Sequence, residues 1–351
     1  MKVVVYQGID NVPQEAWNAV AASHPFSSWQ WCKFNEVIRH PLTAYYLVAM
    51  TDDDRLVGGV QFSVNPREFI PTGNHFARHI IEAYVKKRPF IMSRAGAVSG
   101  FKGLYLPEDT SLHPEFISRI TEIGRDIAHD HTGSFVIFSY LEDELDATGW
   151  NGAVRLSDYM APSTRLLLQW ETYDQYLRHL TKKRRKNIRR NTEAASELGI
   201  TFECSSQVTD IDRAEELIRN IHRYYDVQGN VIVRPILENA HLIPDYVWLT
   251  AHHEGQLVGC EILTYDKHSG VAAPLIYGRD YEVDYVYFAM YYREIQLAIE
   301  KYKAKVLIGD SEAYAAKRRI GFEKEQRNNI RFYPVSPLSR LMFTVFKNVV
   351  D

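Results

Sequence analysis

Hydrophobic and polar positions alternate along this chain between short apolar runs and helical stripes, the pattern of an α/β protein. Val3–Tyr6 reads as a first strand, and Val12-Pro13-Gln14-Glu15 opens a short helix carrying Trp17 and Val20. The aromatics of Phe26-Ser27-Ser28-Trp29-Gln30-Trp31-Cys32-Lys33-Phe34, with Val37 and Ile38, recur at helical spacing behind a Ser cap. A hairpin follows. Tyr45–Met50 is one strand, Thr51-Asp52-Asp53-Asp54 the turn, and Leu56-Val57-Gly58-Gly59-Val60-Gln61-Phe62 the return.

The same design recurs about 200 residues later. Tyr246–Ala251 is a strand, His252-His253-Glu254-Gly255 a turn, and Leu257-Val258-Gly259-Cys260-Glu261-Ile262-Leu263 the return. Leu-Val-Gly stands at the same place after both turns. A helix then a strand follows in each case: Ile117–His129 with Phe135–Phe138, and Tyr291–Tyr302 with Val306–Ile308. Two copies of one α/β unit are predicted, residues 1–163 and 164–351, with the boundary near Ala161-Pro162-Ser163.

Between the copies the spacing predicts one helix over 172–198. Thr172 caps it, Gln175 completes a capping box, and Tyr173, Leu177, Leu180, Ile188 and Ala195 form its apolar stripe before Gly199. It carries Lys182-Lys183-Arg184-Arg185-Lys186-Asn187-Ile188-Arg189-Arg190, in which Arg184 falls on the stripe. A strand Ile200–Cys204 and a helix capped by Thr209, burying Ile211, Ala214, Leu217, Ile221 and Tyr225, come next.

Composition narrows the function. The 351 residues are 46% hydrophobic with a net charge of −3, which excludes a disordered chain and a surface that grips nucleic acid all over. Cys32, Cys204 and Cys260 are far apart, without metal-ligand spacing, and fit a reducing compartment as packed residues. No apolar run approaches a membrane span of about 20 residues, and the N-terminus turns polar by Asp10. These features predict a cytoplasmic protein. His129-Asp130-His131 and His252-His253 lack a third ligand, so no metal site is expected. Nucleophile-elbow, Walker and dinucleotide fingerprints are missing from the sequence.

Three pieces carry a family resemblance: Phe26-Ser27-Ser28-Trp29-Gln30-Trp31, Lys186-Asn187-Ile188-Arg189-Arg190, and Tyr314-Ala315-Ala316-Lys317-Arg318-Arg319-Ile320-Gly321-Phe322. In order and spacing they resemble the tandem-GNAT acyltransferase group, which includes the Fem peptidyltransferases and their acetyltransferase relatives. Asn65–Lys102 is the least matched stretch. The resemblance implies two GNAT-like domains in tandem, mixed sheets flanked by helices, with a cleft between the copies. The second copy would hold the donor in a splay between two strands, and the first would shape the acceptor side. Transfer to an amine would be direct, with no tightly bound cofactor. In the acetyltransferase relatives the donor is an acyl thioester such as acyl-CoA; in the Fem branch it is an aminoacyl-tRNA.

The residues can then be weighed by the chemistry amide formation needs: a neutral amine, donors for the oxyanion, and a proton for the leaving group. The glycine loop that cradles pyrophosphate in many GNAT proteins corresponds here to Gly278-Arg279-Asp280-Tyr281-Glu282-Val283-Asp284-Tyr285-Val286-Tyr287. It has lost its glycines, and Glu282 and Asp284 oppose an anion. Tyr285, Val286 and Tyr287 are the donor-binding candidates there. Lys317 stands four residues before Gly321, where many relatives carry a tyrosine that protonates the leaving thiolate; an ammonium there suits a phosphate or an oxyanion. Arg318 beside it, with Lys186, Arg189 and Arg190, are further donor-binding candidates, able to hold a tRNA acceptor arm, a CoA 3′-phosphate or a pyrophosphate-linked acceptor. Asp310 and Glu261 are candidate bases, and Tyr277 and Tyr314 candidate oxyanion donors.

The leading expectation is an acyl-thioester-dependent N-acyltransferase acting on a small-molecule or peptide amine, without DNA as a partner. A Fem-like aminoacyl-tRNA-dependent transferase is the second, and a non-catalytic binding protein with the same fold the third.

Overall fold

The computed structural model describes residues 1–66, 75–96, 98, 100–141, 150–156, 162–224, 232–309, 313–324 and 329–350. Two units divide the chain: Met1–Pro162 with Gln326–Asp351, and Ser163–Glu325. The first contains β1 (Lys2–Gln7), α1 (Gln14–Ala21), α2 (Trp29–Ile38), β2 (Thr43–Met50), β3 (Leu56–Asn65), α3 (His75–Lys87), β4 (Phe90–Ser93), β5 (Leu104–Tyr105), α4 (His113–Asp130), β6 (Phe135–Leu141) and β7 (Val154–Leu156). The second contains β8 (Thr164–Leu167), α5 (Tyr173–His179), α6 (Lys182–Glu197), β9 (Thr201–Ser205), α7 (Ile211–Tyr224), α8 (Val233–Glu238) and β10 (Tyr246–His253). It continues with β11 (Gln256–Asp266), β12 (Val271–Arg279), α9 (Val286–Glu300), β13 (Val306–Gly309), α10 (Tyr314–Arg319) and β14 (Glu323–Lys324). The chain then returns to the first unit for β15 (Asn329–Pro334) and α11 (Pro337–Val350).

Each unit is built on a mixed sheet. The strand order is β1-β2-β3-β4-β6-β15-β7 in the first, with β5 beside β3, and β14-β8-β13-β12-β11-β10-β9 in the second. One parallel pair stands at the heart of each, β4 with β6 and β12 with β13, and a helix, α4 or α9, makes the crossover a parallel pair requires.

The repeated Leu-Val-Gly has a packing cause. A Cβ added at Gly259 would lie 2.5 Å from Sδ of Met290 and 2.7 Å from Cγ1 of Val286, both on α9. One added at Gly58 would meet the Tyr105 carbonyl at 2.7 Å and the Phe116 ring of α4 at 3.2 Å. In the second copy the crossover helix leaves room only for glycine, and in the first it is chiefly the Tyr105 carbonyl of β5 that does so. Both hairpins also carry a register shift at the same place, at Ala49/Met50 and Ala251/His252. β10 runs on through His252 and His253, and the second turn is confined to Glu254 and Gly255, whose φ angles of 52° and 76° match a hairpin turn of primed type.

Two expectations are corrected. The helix foreseen over 172–198 is two helices, because Leu180 and Thr181 have extended backbones (ψ 154° and 153°). Thr181 caps α6 by accepting from the Arg184 N–H, while Arg185 Nη1 donates to the carbonyls of Arg178 and Leu180 at 2.9 and 2.5 Å and closes the end of α5. Thr172 does cap α5, but Gln175 bonds the Glu171 N–H instead of the cap's own. The second domain also stops short of residue 351. β15 lies between β6 and β7, pairing Phe332 with Ile137 and Val154, so the C-terminal segment completes the first sheet. In the second sheet β8 fills the corresponding gap between β13 and β14.

Cys32 and Cys260 are buried, and burial pushes both thiols up; Cys204 is exposed, contrary to the packed reading. Tyr225 lies outside the described residues. Among those described, no helix is long and apolar enough to cross a membrane.

Truncation after Glu325 should unfold the first unit. It removes Ile330, Phe332, Tyr333 and Phe343, all buried, each worth about 1.5–3 kcal/mol, against a typical domain stability of roughly 5–15 kcal/mol. Hydrogen exchange should report loss of protection in β4 and β6 with protection retained in β10–β12.

Candidate active site

β12 and β13 share only two register positions, Val271 with Val306 and Ala272 with Leu307. Beyond them β13 continues beside β8, and among the described residues Ala273–Arg279 of β12 have no partner strand on that edge. Pro274, which has no N–H to give to a ladder, stands where the pairing stops. Next to it the register with β11 slips, from Ile262–Ile276 to Leu263–Pro274, so Leu275 is a bulge. Among the described residues the equivalent pair in the first unit has no such opening, since all of β4 is matched with β6 from Phe90–Phe135 to Ser93–Phe138.

The chemistry-bearing side chains gather along this opened strand. Glu261 on β11 is 2% exposed and directly opposite Tyr277 on β12; Arg279, two residues on, is opposite Gly259 and on the same face. That face is the one α9 covers. Tyr287, on its first turn, meets Tyr277 edge-on at 6.1 Å between ring centres and stacks with Tyr291 at 5.8 Å. Burial holds the Tyr277 phenol well above the usual tyrosine value, with Glu261 pushing the same way and Arg279 opposing it. Tyr277 is therefore a protonated donor at neutral pH. In the first unit the hairpin alignment puts Val60 at the position of Glu261, so that copy lacks the carboxylate.

A second grouping lies on α6. A pocket of about 550 Å³ is lined by Lys183, Arg184, Lys186 and Arg190 of α6, Arg319 at the end of α10, and Tyr292 of α9. Among the described residues none of these five cations is paired with a carboxylate; Arg190 bonds the Asn187 side chain. The first turn of α6 is Lys182-Lys183-Arg184-Arg185 with no acidic residue, so cations crowd the positive end of the helix dipole, where they destabilise the helix. Tyr287 and Tyr292 are five residues apart, about 7.5 Å along α9 and roughly 140° around it. One helix thus presents the tyrosine cluster on one side and the cationic pocket on another.

The remaining candidates fall as follows. Lys317 is buried (5% exposed) on α10, and Tyr314 is half-buried in its first turn under Lys324 Nζ at 4.1 Å. Arg318 is exposed, and Arg319, which sequence reasoning passed over, is the one that lines the pocket. Arg189 turns outward to Glu193 at 3.4 Å and is 79% exposed. Tyr285 caps α9 in a left-handed conformation (φ 65°), and Val286 is buried against Gly259. Asp310 lies outside the described residues. Arg279 and Arg184 were missed as site residues; Arg184's place on the apolar stripe and Pro274 inside an apolar run were the available signals.

No family model matches the chain, and no curated protein matches it. Solved structures do. A tandem GNAT protein from the clavulanic acid biosynthesis pathway superposes with a TM-score of 0.54 at 11% identity, over 96% of this chain and 99% of that one. L-PGS from Bacillus licheniformis gives 0.55 at 12% identity, over 97% and 98%. A conserved protein of unknown function from Bacteroides thetaiotaomicron gives 0.54 at 10% identity, over 92% and 96%. The chain has the tandem GNAT fold, with which its two mixed sheets flanked by helices agree.

Tyr277 makes a pH prediction with a definite sign. Its folded pKa is raised, so the phenol should stay protonated above pH 10, the ordinary tyrosine value, while the unfolded chain ionises there. Stability should fall as pH rises past that point. Tyr277→Phe should lessen the alkaline loss, read by denaturant unfolding at neutral and alkaline pH.

Proposed function

We propose that this chain is a GNAT-type N-acyltransferase that forms an amide by direct transfer of an acyl group from an acyl thioester, of the acyl-CoA kind, to an amine. The observation that carries the reading is the opened edge of β12, with Pro274 and the Leu275 bulge beside Glu261 and Tyr277. A donor laid along this edge can bond the backbone groups that no strand claims. Its carbonyl carbon would then lie close to a buried carboxylate and a buried phenol.

The roles follow from these groups. Glu261 accepts a proton from the acceptor ammonium, directly or through water, leaving the neutral amine that attacks the carbonyl carbon. The new C–N bond forms as the carbonyl electrons move to oxygen, and Tyr277 donates to that oxyanion. Collapse expels the thiolate, which takes a proton from Tyr277 or from solvent. The second proton on the attacking nitrogen passes back to Tyr277 or to solvent, leaving the neutral amide, the thiol and an intact phenol. Positioning on a fixed strand supplies much of the rate. The first unit, with Val60 in place of the carboxylate, is assigned to the acceptor side.

One observation favours a second reading. Five cations that have no carboxylate partner among the described residues line the α6 pocket, and they suit a phosphate-rich donor such as an aminoacyl-tRNA. In that reading the leaving group is a ribose hydroxyl, and the same attack by an amine forms the amide.

Thermal stability against CoA, acetyl-CoA, a long-chain acyl-CoA and a minimal aminoacylated RNA helix separates the readings. A ligand at a hundredfold its Kd adds about 2.7 kcal/mol. Stabilisation by the CoA species is expected. Stabilisation by the charged RNA alone would move the assignment to the second reading, and silence from every donor would leave a binding protein. With an accepted donor, Glu261→Gln should lower kcat by about 10²–10⁴-fold with Tm preserved; unchanged kcat would remove Glu261 from the mechanism.

A further inference from the structure

The positive charge of α6 converges on a cavity. Lys183, Arg184, Lys186 and Arg190 line the pocket of about 550 Å³ together with Arg319. The neighbouring arginines are committed elsewhere, Arg185 to the carbonyls of Arg178 and Leu180 and Arg189 to Glu193. Between the cations the wall is apolar, made by the buried Ile188 and Ile320. Tyr292, 5% exposed, lines the same cavity. Its hydroxyl accepts from Asn191 Nδ2 at 3.2 Å, and among the described residues nothing accepts its own proton. Burial raises that phenol above the ordinary tyrosine value, so it is a donor at neutral pH.

These groups select the ligand. Cations gathered without carboxylates repel one another, and a bound anion removes that cost. Guanidinium, ammonium and hydroxyl donors around one cavity suit a phosphate. The cavity has the size of a small-molecule site and exceeds what a phosphate alone fills, so Ile188 and Ile320 are left for the organic body that carries it. A polynucleotide needs charge spread as a track along its backbone; charge concentrated at a cavity favours a small molecule.

The place of the pocket separates it from the phosphates of the donor. α9 crosses over between parallel strands, so it runs against β12. From Tyr287, which meets Tyr277, Tyr292 lies about 7.5 Å back toward the Leu275 bulge, away from Arg279, and roughly 140° around the helix. A CoA carries its phosphates at the far end of the pantetheine arm from its thioester. A donor with its carbonyl at Tyr277 therefore leaves this pocket, on another side of α9, to the acceptor. We propose that the α6 pocket holds a phosphate of the acceptor, which is then an amine borne on a phosphate ester, the two groups about one helix width, roughly 10 Å, apart. The inference rests on the acyltransferase reading and deepens it by naming the class of acceptor.

The binding probe is inorganic pyrophosphate at about 0.15 M salt. The proteins compared are the full-length wild type, Arg184→Gln, Lys186→Gln and Lys182→Gln, each with Tm checked. Lys182 belongs to the same helix but not to the pocket lining. Arg184→Gln and Lys186→Gln should each weaken pyrophosphate by about 10- to 150-fold, and Lys182→Gln by less than about threefold. Equal losses in all three variants, or no binding to wild type, would overturn the site. Saturating pyrophosphate should displace neither acetyl-CoA nor a minimal aminoacylated RNA helix; displacement of either would give the pocket to that donor and overturn the acceptor assignment. With acetyl-CoA, aminohexyl phosphate should be acylated with a kcat/KM at least about tenfold above that of aminohexanol, a gain lost in Arg184→Gln. Equal values for the two amines would contradict the proposal. If wild type binds no donor, the acyltransferase reading fails separately. Pyrophosphate then decides the pocket: binding lost in Arg184→Gln keeps it as a phosphate site, and binding unchanged there removes it.

Discussion

A parallel strand pair is held by evenly spaced hydrogen bonds, and each residue that cannot donate one weakens it. Pro274 is such a residue, placed in β12 two positions past its last pairing with β13. The neighbouring bulge at Leu275 then shifts the strand's register against β11. Together they let β13 follow β8 and leave β12 with an edge that no strand claims among the described residues. Everything assigned to the site is arranged on that edge: Glu261 across the ladder, Tyr277 and Arg279 on the face beneath α9, and Tyr287 in the turn above. The first unit keeps its parallel pair closed along all of β4, and it has Val60 where the carboxylate would stand. The same supersecondary unit thus appears once with its parallel pair matched along the whole of β4 and once with that pair ending after two positions.

The crossover helix ties the opening to the rest of the second unit. Gly259 allows Val286 and Met290 to sit directly on the sheet, which sets the start of α9 close enough for Tyr287 to reach Tyr277. Further round the same helix, Tyr292 receives Asn191 of α6 at 3.2 Å, fixing the cationic pocket to α9 as well. The break at Leu180–Thr181 matters here. A continuous helix would have buried Leu180, Ile188 and Ala195 along one stripe and spread the basic run around its middle. The break instead gives α6 a capped start of its own and gathers four cations at that end, at an electrostatic cost that an anionic ligand would offset.

Much of this was legible from residues. Leu56-Val57-Gly58 and Leu257-Val258-Gly259 announced the repeat, because a close neighbour excludes a side chain at the glycine in both copies: the β5 backbone at Gly58 and the crossover helix at Gly259. Glu261 and Tyr277 could be named from their places on a return strand and its neighbour. The break in the basic helix was harder to see, since Leu180 keeps the apolar period across it and only Thr181, a second capping residue, marks it. The return of 329–334 to the first sheet leaves no local trace, because β15 is an ordinary buried strand whose partners are settled by tertiary pairing. Arg319 rather than Arg318 lines the pocket for a reason of helical phase that one residue decides.

The central claim is that the opened edge of β12 seats the acyl donor. Hydrogen exchange with and without a non-hydrolysable acyl-CoA analogue tests it most directly. Protection is expected in Ala273–Arg279 and in Ile308 and Gly309, with β4 and β6 unchanged. Protection confined to β4 and β6, or bound analogue with no change along β12, would contradict the account.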